Sequence, residues 1–185
     1  MKLKYIPNLI CIVRIFLVAP IIWALLDGRY GLSLLLILSA GLSDALDGYL
    51  ARRFDWRTRL GGLLDPAADK LLMLSLFLTL SWLGWVPVWF TAIVIGRDVV
   101  IVVGIIAYHS LVGPVHGSPT LASKLNTVLQ IAFALLVTTH AWRGWPSAPW
   151  LKGLEAAVLV TIAISVVQYV SAGVVALREV KRSEG

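Results

Sequence analysis

Asp44, Asp47, Asp65 and Asp69 are the residues of this chain whose type and spacing are suited to chemistry. Asp44 and Asp47 stand three apart and Asp65 and Asp69 four apart, so on two helices each pair shares one face. A short basic stretch between the pairs predicts an antiparallel turn that brings the four carboxylates together. Such a cluster repels itself, and each charge taken out of water costs several kcal/mol. No His or Cys accompanies it to suggest zinc, whereas the hard divalent cations Mg²⁺ and Mn²⁺ take oxygen ligands and neutralise the charge. Gly48 and Ala51 lie one turn after Asp44 and Asp47, and Gly61 lies one turn before Asp65, leaving room for a bulky group against the backbone. Arg52 adds a forked donor suited to a phosphate oxygen. Metal ions and an arginine at a lipid-facing surface point to a diphosphate substrate with a lipid tail.

The elements that must position these residues are membrane helices. The chain has 185 residues, 59% of them hydrophobic and only 14% charged, with a mean hydropathy of +0.87. Soluble domains carry about 25% charged residues, so most of this surface faces something other than water. That excludes a disordered chain and a peripheral enzyme, and the single Cys11 excludes an intramolecular disulfide framework. Apolar runs long enough to span a bilayer, about 17–25 residues each, predict six transmembrane helices near 9–27, 31–51, 63–83, 87–109, 124–141 and 154–177. The expected fold is an all-α integral membrane protein, a six-helix bundle forming a single domain over 1–185. Turn residues mark the connections at Asp27-Gly28, Gly84 to Pro87, Val112 to Pro119 and Arg143 to Pro149. Pro66 fits the first turn of the third helix.

Lys2, Lys4, Arg52, Arg53, Arg57, Arg59, Arg178, Lys181 and Arg182 flank one side of these spans, against Arg29, Arg143 and Lys152 on the other. The positive-inside rule then puts both termini and the aspartates on the cytoplasmic face. The same rule accounts for the basic pI, and no basic helix face interleaved with aromatics suggests nucleic acid as a partner. No cleavage site follows the first apolar run and no transit segment precedes it, so the expectation is a retained first helix in a bacterial inner membrane.

The segment from Asp44 to Asp69 contains Asp44-x2-Asp47-Gly48-x2-Ala51-Arg52, eight residues, then Gly61-x3-Asp65-x3-Asp69. It resembles, position by position, the D-x2-D-G-x2-A-R-x8-G-x3-D-x3-D signature of the CDP-alcohol phosphotransferases, whose six-helix plan agrees with the hydropathy pattern. The resemblance implies transfer of a phosphatidyl group or a related phosphoalcohol from a CDP-linked donor to an alcohol, with release of CMP. It further implies that Asp44, Asp47 and Asp65 bind a pair of divalent cations, that Asp69 acts mainly as the base while also touching metal, and that Gly48, Ala51, Arg52 and Gly61 shape the cytidine diphosphate site. A homodimer is expected on the same ground. Pro7-Asn8 resembles the family's entry to the first helix, where Asn8 either caps that helix or reaches the donor's phosphates.

The acceptor is read further along. Ser123-Lys124-x-Asn126-Thr127-x2-Gln130 resembles the S-K-x-N-T-x2-Q pattern of the family's cardiolipin-forming branch. The branch that makes phosphatidylglycerophosphate shows G-K-x-K-T-x2-Q. The Lys to Asn difference removes a cation, which suits phosphatidylglycerol, with one diester charge, over the dianionic glycerol 3-phosphate. Arg97-Asp98 also resembles the R-D of the former branch. The expected reaction is therefore CDP-diacylglycerol plus phosphatidylglycerol giving cardiolipin and CMP, with Arg97, Lys124 and Asn126 as acceptor-binding candidates and glycerol 3-phosphate as the alternative acceptor. A small cation transporter or channel is the non-enzyme alternative; acids gathered at one membrane face, not along a path, argue against it.

Other charged and aromatic residues read more simply. Arg14 is expected to pair with a buried carboxylate or snorkel, Lys70 to tune a neighbouring carboxylate, and Arg97 and Asp98, adjacent on a helix, to have different partners. His109 and His116 are expected in the loop after the fourth helix and His140 at an interface, none as a metal ligand. Trp82, Trp85, Trp89, Trp142, Trp145 and Trp150 read as an external aromatic belt.

Overall fold

The computed structural model describes residues 6–54, 59–111 and 121–183. They form six helices, α1 (Ile6–Leu26), α2 (Tyr30–Arg53), α3 (Arg59–Trp82), α4 (Val88–Leu111), α5 (Leu121–Arg143) and α6 (Ala148–Ser183), and no strand is present among them. The predicted helices are all found, each extended by up to several residues. Among the described residues three are long and apolar enough to cross a membrane, over Leu9–Leu26, Leu121–Arg143 and Ala148–Tyr169, and α2 has a shorter apolar run over Tyr30–Ser43. The extensions change three local readings. Because α1 begins at Ile6, Asn8 sits inside its first turn and not at its cap. Because α3 begins at Arg59, Pro66 lies inside the helix, where its ring removes the bond to the carbonyl of Gly62. Because α4 runs to Leu111, His109 is helical and not in a loop; His116 falls outside the described residues.

The chain divides into two compact units, Met1–Pro87 with Ala134–Ser147, and Val88–Phe133 with Ala148–Gly185. In the first, α1 packs against both α2 and α3. Its buried stripe, Cys11, Arg14, Val18, Ile21 and Leu25, follows the three-and-four spacing of one helical face. Ala40 on α2 and Ala68, Leu76, Phe77 and Leu80 on α3 are buried in the same unit. The opposite sides expose Phe16, Leu35 and Leu78, an apolar outside that suits lipid.

Glycine stops the helices of this unit where the turn signals predict. Gly28 has φ +72°, and Arg29 N–H donates back to Ala24 O at 2.8 Å; Gly84 has φ +77°, and Trp85 N–H donates to Leu80 O at 3.0 Å. Both are left-handed caps that satisfy orphan carbonyls. Around them Trp85 Nε1 donates to the Tyr30 hydroxyl at 3.3 Å, the Trp85 ring meets His140 edge-on at 6.1 Å, and His140 Nδ1 lies 2.7 Å from Pro146 O. His140 is thus held between an aromatic ring and a backbone carbonyl. The belt tryptophans are exposed or half-exposed, Trp82 most of all at 85%.

In the second unit α4 packs against α6. Phe90 of α4 meets Phe133 of α5 with ring centroids 5.0 Å apart, and Val94, Val158 and Ile162 are buried in the same unit.

Candidate functional site

Two groups of polar residues stand out, one in each unit. The first occupies the end of α2 and the beginning of α3. Asp44, Asp47, Gly48, Ala51 and Arg52 lie on helical backbone of α2, and Gly61, Asp65 and Asp69 on α3, so the three-and-four spacings do place each aspartate pair on one helical face. The side-chain surroundings of Asn8, Asp44, Asp47, Ala51, Arg52 and Asp65 lie outside the described residues, as do those of Gly48 and Gly61. Asp69 and Lys70 are half-buried, and both are engaged in polar or electrostatic contacts. Ala68 beside them is fully buried. No group of three potential metal ligands occurs among the described residues.

Among the described residues of this unit Arg14 is the most deeply buried charge, 1% exposed, on the face of α1 that packs against α2 and α3. A guanidinium so far from water is tolerable only with compensating polar contacts, and Arg14 has such contacts.

The second group joins three helices. Arg97 of α4 is 5% exposed; its Nη1 donates to Asp98 Oδ1 at 2.8 Å, and its Nη2 donates to Ser123 Oγ of α5 at 2.7 Å and to Ser165 Oγ of α6 at 2.9 Å. The expectation that Arg97 and Asp98 have different partners is therefore wrong. Their Cβ atoms diverge as helix neighbours must, but the long guanidinium arm folds back to the short carboxylate. One turn back along α6, Thr161 Oγ1 donates to Asn126 Oδ1 at 3.0 Å, and the same hydroxyl lies within reach of the carbonyls of Ala157 and Val158. Asn126 is completely buried and Gln130, one turn on, is 2% exposed. Lys124 is exposed on α5, away from this seam of buried polar groups.

Of the three acceptor-binding candidates, Arg97 and Asn126 thus belong to one buried polar seam and Lys124 does not. The sequence pattern contains Ser123 but not Thr161 and Ser165, whose one signal is two hydroxyls four residues apart within the apolar run of α6. The arrangement pairs the Arg97 guanidinium with the Asp98 carboxylate and ties it to two hydroxyls, a neutral set rich in hydrogen-bonding groups.

Residues 4–167 match the model of the CDP-alcohol phosphatidyltransferase family. The chain is similar to a probable cardiolipin synthase (CMP-forming) of Drosophila melanogaster, 35% identical over 89% of this chain and 56% of the fly protein. It is also similar to the cardiolipin synthase (CMP-forming) of Streptomyces coelicolor, 32% identical over 78% of this chain and 74% of that protein, and to the human one, 32% identical over 68% of this chain and 47% of that protein. The chain thus spans about half the length of the two animal relatives. With the family model covering most of its residues and the aspartates in register on α2 and α3, the chain belongs to the CDP-alcohol phosphatidyltransferase family.

Proposed function

We propose that this chain transfers the phosphatidyl group of CDP-diacylglycerol to phosphatidylglycerol, giving cardiolipin and CMP. The observation that carries this reading is the family match together with similarity to cardiolipin synthases from fly, actinobacterium and human. The seam of the second unit supports the choice of acceptor: Asn126, at the position of the second lysine in the alternative pattern, is a buried neutral amide tied to Thr161.

Asp44, Asp47, Asp65 and Asp69 offer only hard oxygen donors, spaced on helical faces of α2 and α3, and this donor set fits a pair of Mg²⁺ or Mn²⁺ ions. Bound there, the ions supply charge neutralisation for a diphosphate and for the departing CMP. Asn8, Gly48, Ala51, Arg52 and Gly61 hold the CDP moiety, the small residues by admitting it close to the backbone and Arg52 by donating to a phosphate oxygen. Arg97 and Asn126 receive the acceptor's headgroup, and Lys124, exposed on α5, offers its phosphodiester a cation. Its hydroxyl oxygen attacks the phosphorus that bears diacylglycerol, the bond from that phosphorus to the CMP oxygen breaks, and the hydroxyl proton passes to the Asp69 carboxylate. In this reading residues 1–185 act as one domain, a six-span bundle with both termini and the aspartates at the cytoplasmic face of a bacterial inner membrane, working as a homodimer.

The test is CMP release by the purified full chain given CDP-diacylglycerol and Mg²⁺ or Mn²⁺, with phosphatidylglycerol or glycerol 3-phosphate as sole acceptor and the product identified by mass. Cardiolipin from phosphatidylglycerol alone is the expected result. Phosphatidylglycerophosphate from glycerol 3-phosphate alone overturns the choice of acceptor, and ion flux through liposomes without CMP release overturns the enzyme reading.

A further inference from the structure

Arg14 is a buried charge to which the proposed reaction gives no task. It is 1% exposed on α1 and is engaged in contacts. A guanidinium that deep is tolerable when a carboxylate or several acceptor oxygens meet it. One of the two helices packed on α1 is α3, which carries Asp69, half-buried and engaged as well. Among the described side chains of this unit one other carboxylate occurs, Asp27, and it lies beyond the end of α1, where it accepts from Arg29 Nε at 2.6 Å.

The depth of Arg14 and Asp69 follows from the turns that end their helices. Arg29 N–H donates to Ala24 O just past α1, Trp85 N–H donates to Leu80 O just past α3, and the Trp85 indole donates to the hydroxyl of Tyr30, next to Arg29. The two helices therefore end in one layer and run the same way. On α1 the buried residues Val18, Ile21 and Leu25 stand four, seven and eleven positions after Arg14; on α3 the buried residues Met73, Leu76 and Leu80 stand four, seven and eleven positions after Asp69. The shared spacing puts Arg14 and Asp69 each on its helix's buried stripe, both about 16 Å below that layer at a rise of about 1.5 Å per residue. Lys70, the next residue of α3, starts about 100° round the helix from Asp69.

We propose that Arg14 is a positioning residue for Asp69: across the packing of α1 on α3 its guanidinium holds the Asp69 carboxylate in the orientation from which it takes the acceptor's proton. This rests on Asp69 being the base of the proposed reaction. A guanidinium fork grips a carboxylate in one plane and leaves each oxygen a further lone pair, so the base is oriented without being used up. Arg14 moves no proton and forms no covalent bond. Its effect is on the rate of the chemical step and not on the binding of either lipid.

The experiment is a mutant cycle in kcat and both KM values on the full chain at saturating Mg²⁺, over Arg14→Met, Arg14→Lys, Asp69→Asn and the paired variants, with rates expressed per folded protein. The expected result is a kcat lowered on the order of 10²-fold by Arg14→Met and about tenfold by Arg14→Lys, with both KM values within about twofold of wild type. In the Asp69→Asn background, where no charged carboxylate is left to orient, either change is expected to cost less than about twofold more. Equal fold losses in the two backgrounds overturn the proposal and leave Arg14 a packing residue, as does a cycle in which Lys70→Met, and not the Arg14 variants, depends on Asp69. Should Arg14→Met fail to fold, Arg14→Gln replaces it throughout. Should Asp69→Asn turn over too slowly to measure, the order of kcat decides: Arg14→Lys above Arg14→Met is expected, because an ammonium still meets the carboxylate, whereas Lys no better than Met, as an unpaired buried ammonium gives, overturns the proposal. If Asp69→Asn turns over at a near-wild-type rate, the assignment of the base has failed and the proposal fails with it. If Asp69→Asn is slow and the losses simply add, only the proposal fails.

Discussion

α1 in the first unit buries one guanidinium, Arg14, on a stripe otherwise made of Cys11, Val18, Ile21 and Leu25, whereas α4, α5 and α6 in the second unit bury a connected series of hydroxyls, amides and Arg97. In the first unit the sequence concentrates formal charge, at Asp44, Asp47, Arg52, Asp65 and Asp69, on helical turns whose spacing alone aligns them. In the second the polarity is mostly neutral and is assembled from three separate helices. The difference suits the two tasks of the proposed reaction. Neutralising and cleaving a diphosphate needs dense charge with a base in place, which is costly to bury and is best gathered at helix ends near the membrane surface. Choosing between alcohols needs directional hydrogen bonds, which buried amides and hydroxyls supply at lower desolvation cost.

The largest effect that would break this contrast lies in the first unit. Asp69→Asn is expected to lower kcat by roughly 10²–10⁴-fold with both KM values little changed, because the carboxylate proposed to take the hydroxyl proton is gone while the shape stays; rates of CMP release check it. Next comes the charge of the second unit. Arg97→Met leaves the carboxylate of Asp98 and the hydroxyls of Ser123 and Ser165 without the guanidinium that joins them, and is expected to cost on the order of 3 kcal/mol, read as a lowered denaturation midpoint in detergent. Asn126→Ala removes only a neutral amide held by Thr161, and is expected to raise the KM for phosphatidylglycerol about fivefold, the worth of a single hydrogen bond near 1 kcal/mol. The smallest effect sharpens the contrast by leaving both groups alone. A Cβ added at Gly31 would meet the Trp142 ring at 3.0 Å, so Gly31→Ala is expected to cost about 1 kcal/mol in unfolding while leaving both KM values as they are.

The two units also differ in how far the amino-acid sequence discloses them. The aspartates, Gly48, Ala51, Arg52 and Gly61 could be placed because they recur at intervals that a helix turns into faces, and the glycine stops at Gly28 and Gly84 because left-handed caps demand that residue. Asn8 and Pro66 were misplaced by a few residues because helix ends are set by tertiary packing as much as by caps and proline. The Arg97 and Asp98 pair is not legible from spacing, because spacing constrains Cβ directions and not the reach of a long side chain. Thr161 and Ser165 were passed over because neutral hydroxyls inside an apolar run usually bond their own helix, and only the meeting of α4, α5 and α6 reveals their other partners.

The division of labour is tested most directly by determining kcat and both KM values for Asp69→Asn and Asn126→Ala side by side, with CDP-diacylglycerol and phosphatidylglycerol each varied at saturating levels of the other. The account predicts that Asp69→Asn loses kcat alone and Asn126→Ala loses affinity for phosphatidylglycerol alone. A fall in kcat for Asn126→Ala as deep as that for Asp69→Asn, or near-wild-type turnover by Asp69→Asn, would contradict it.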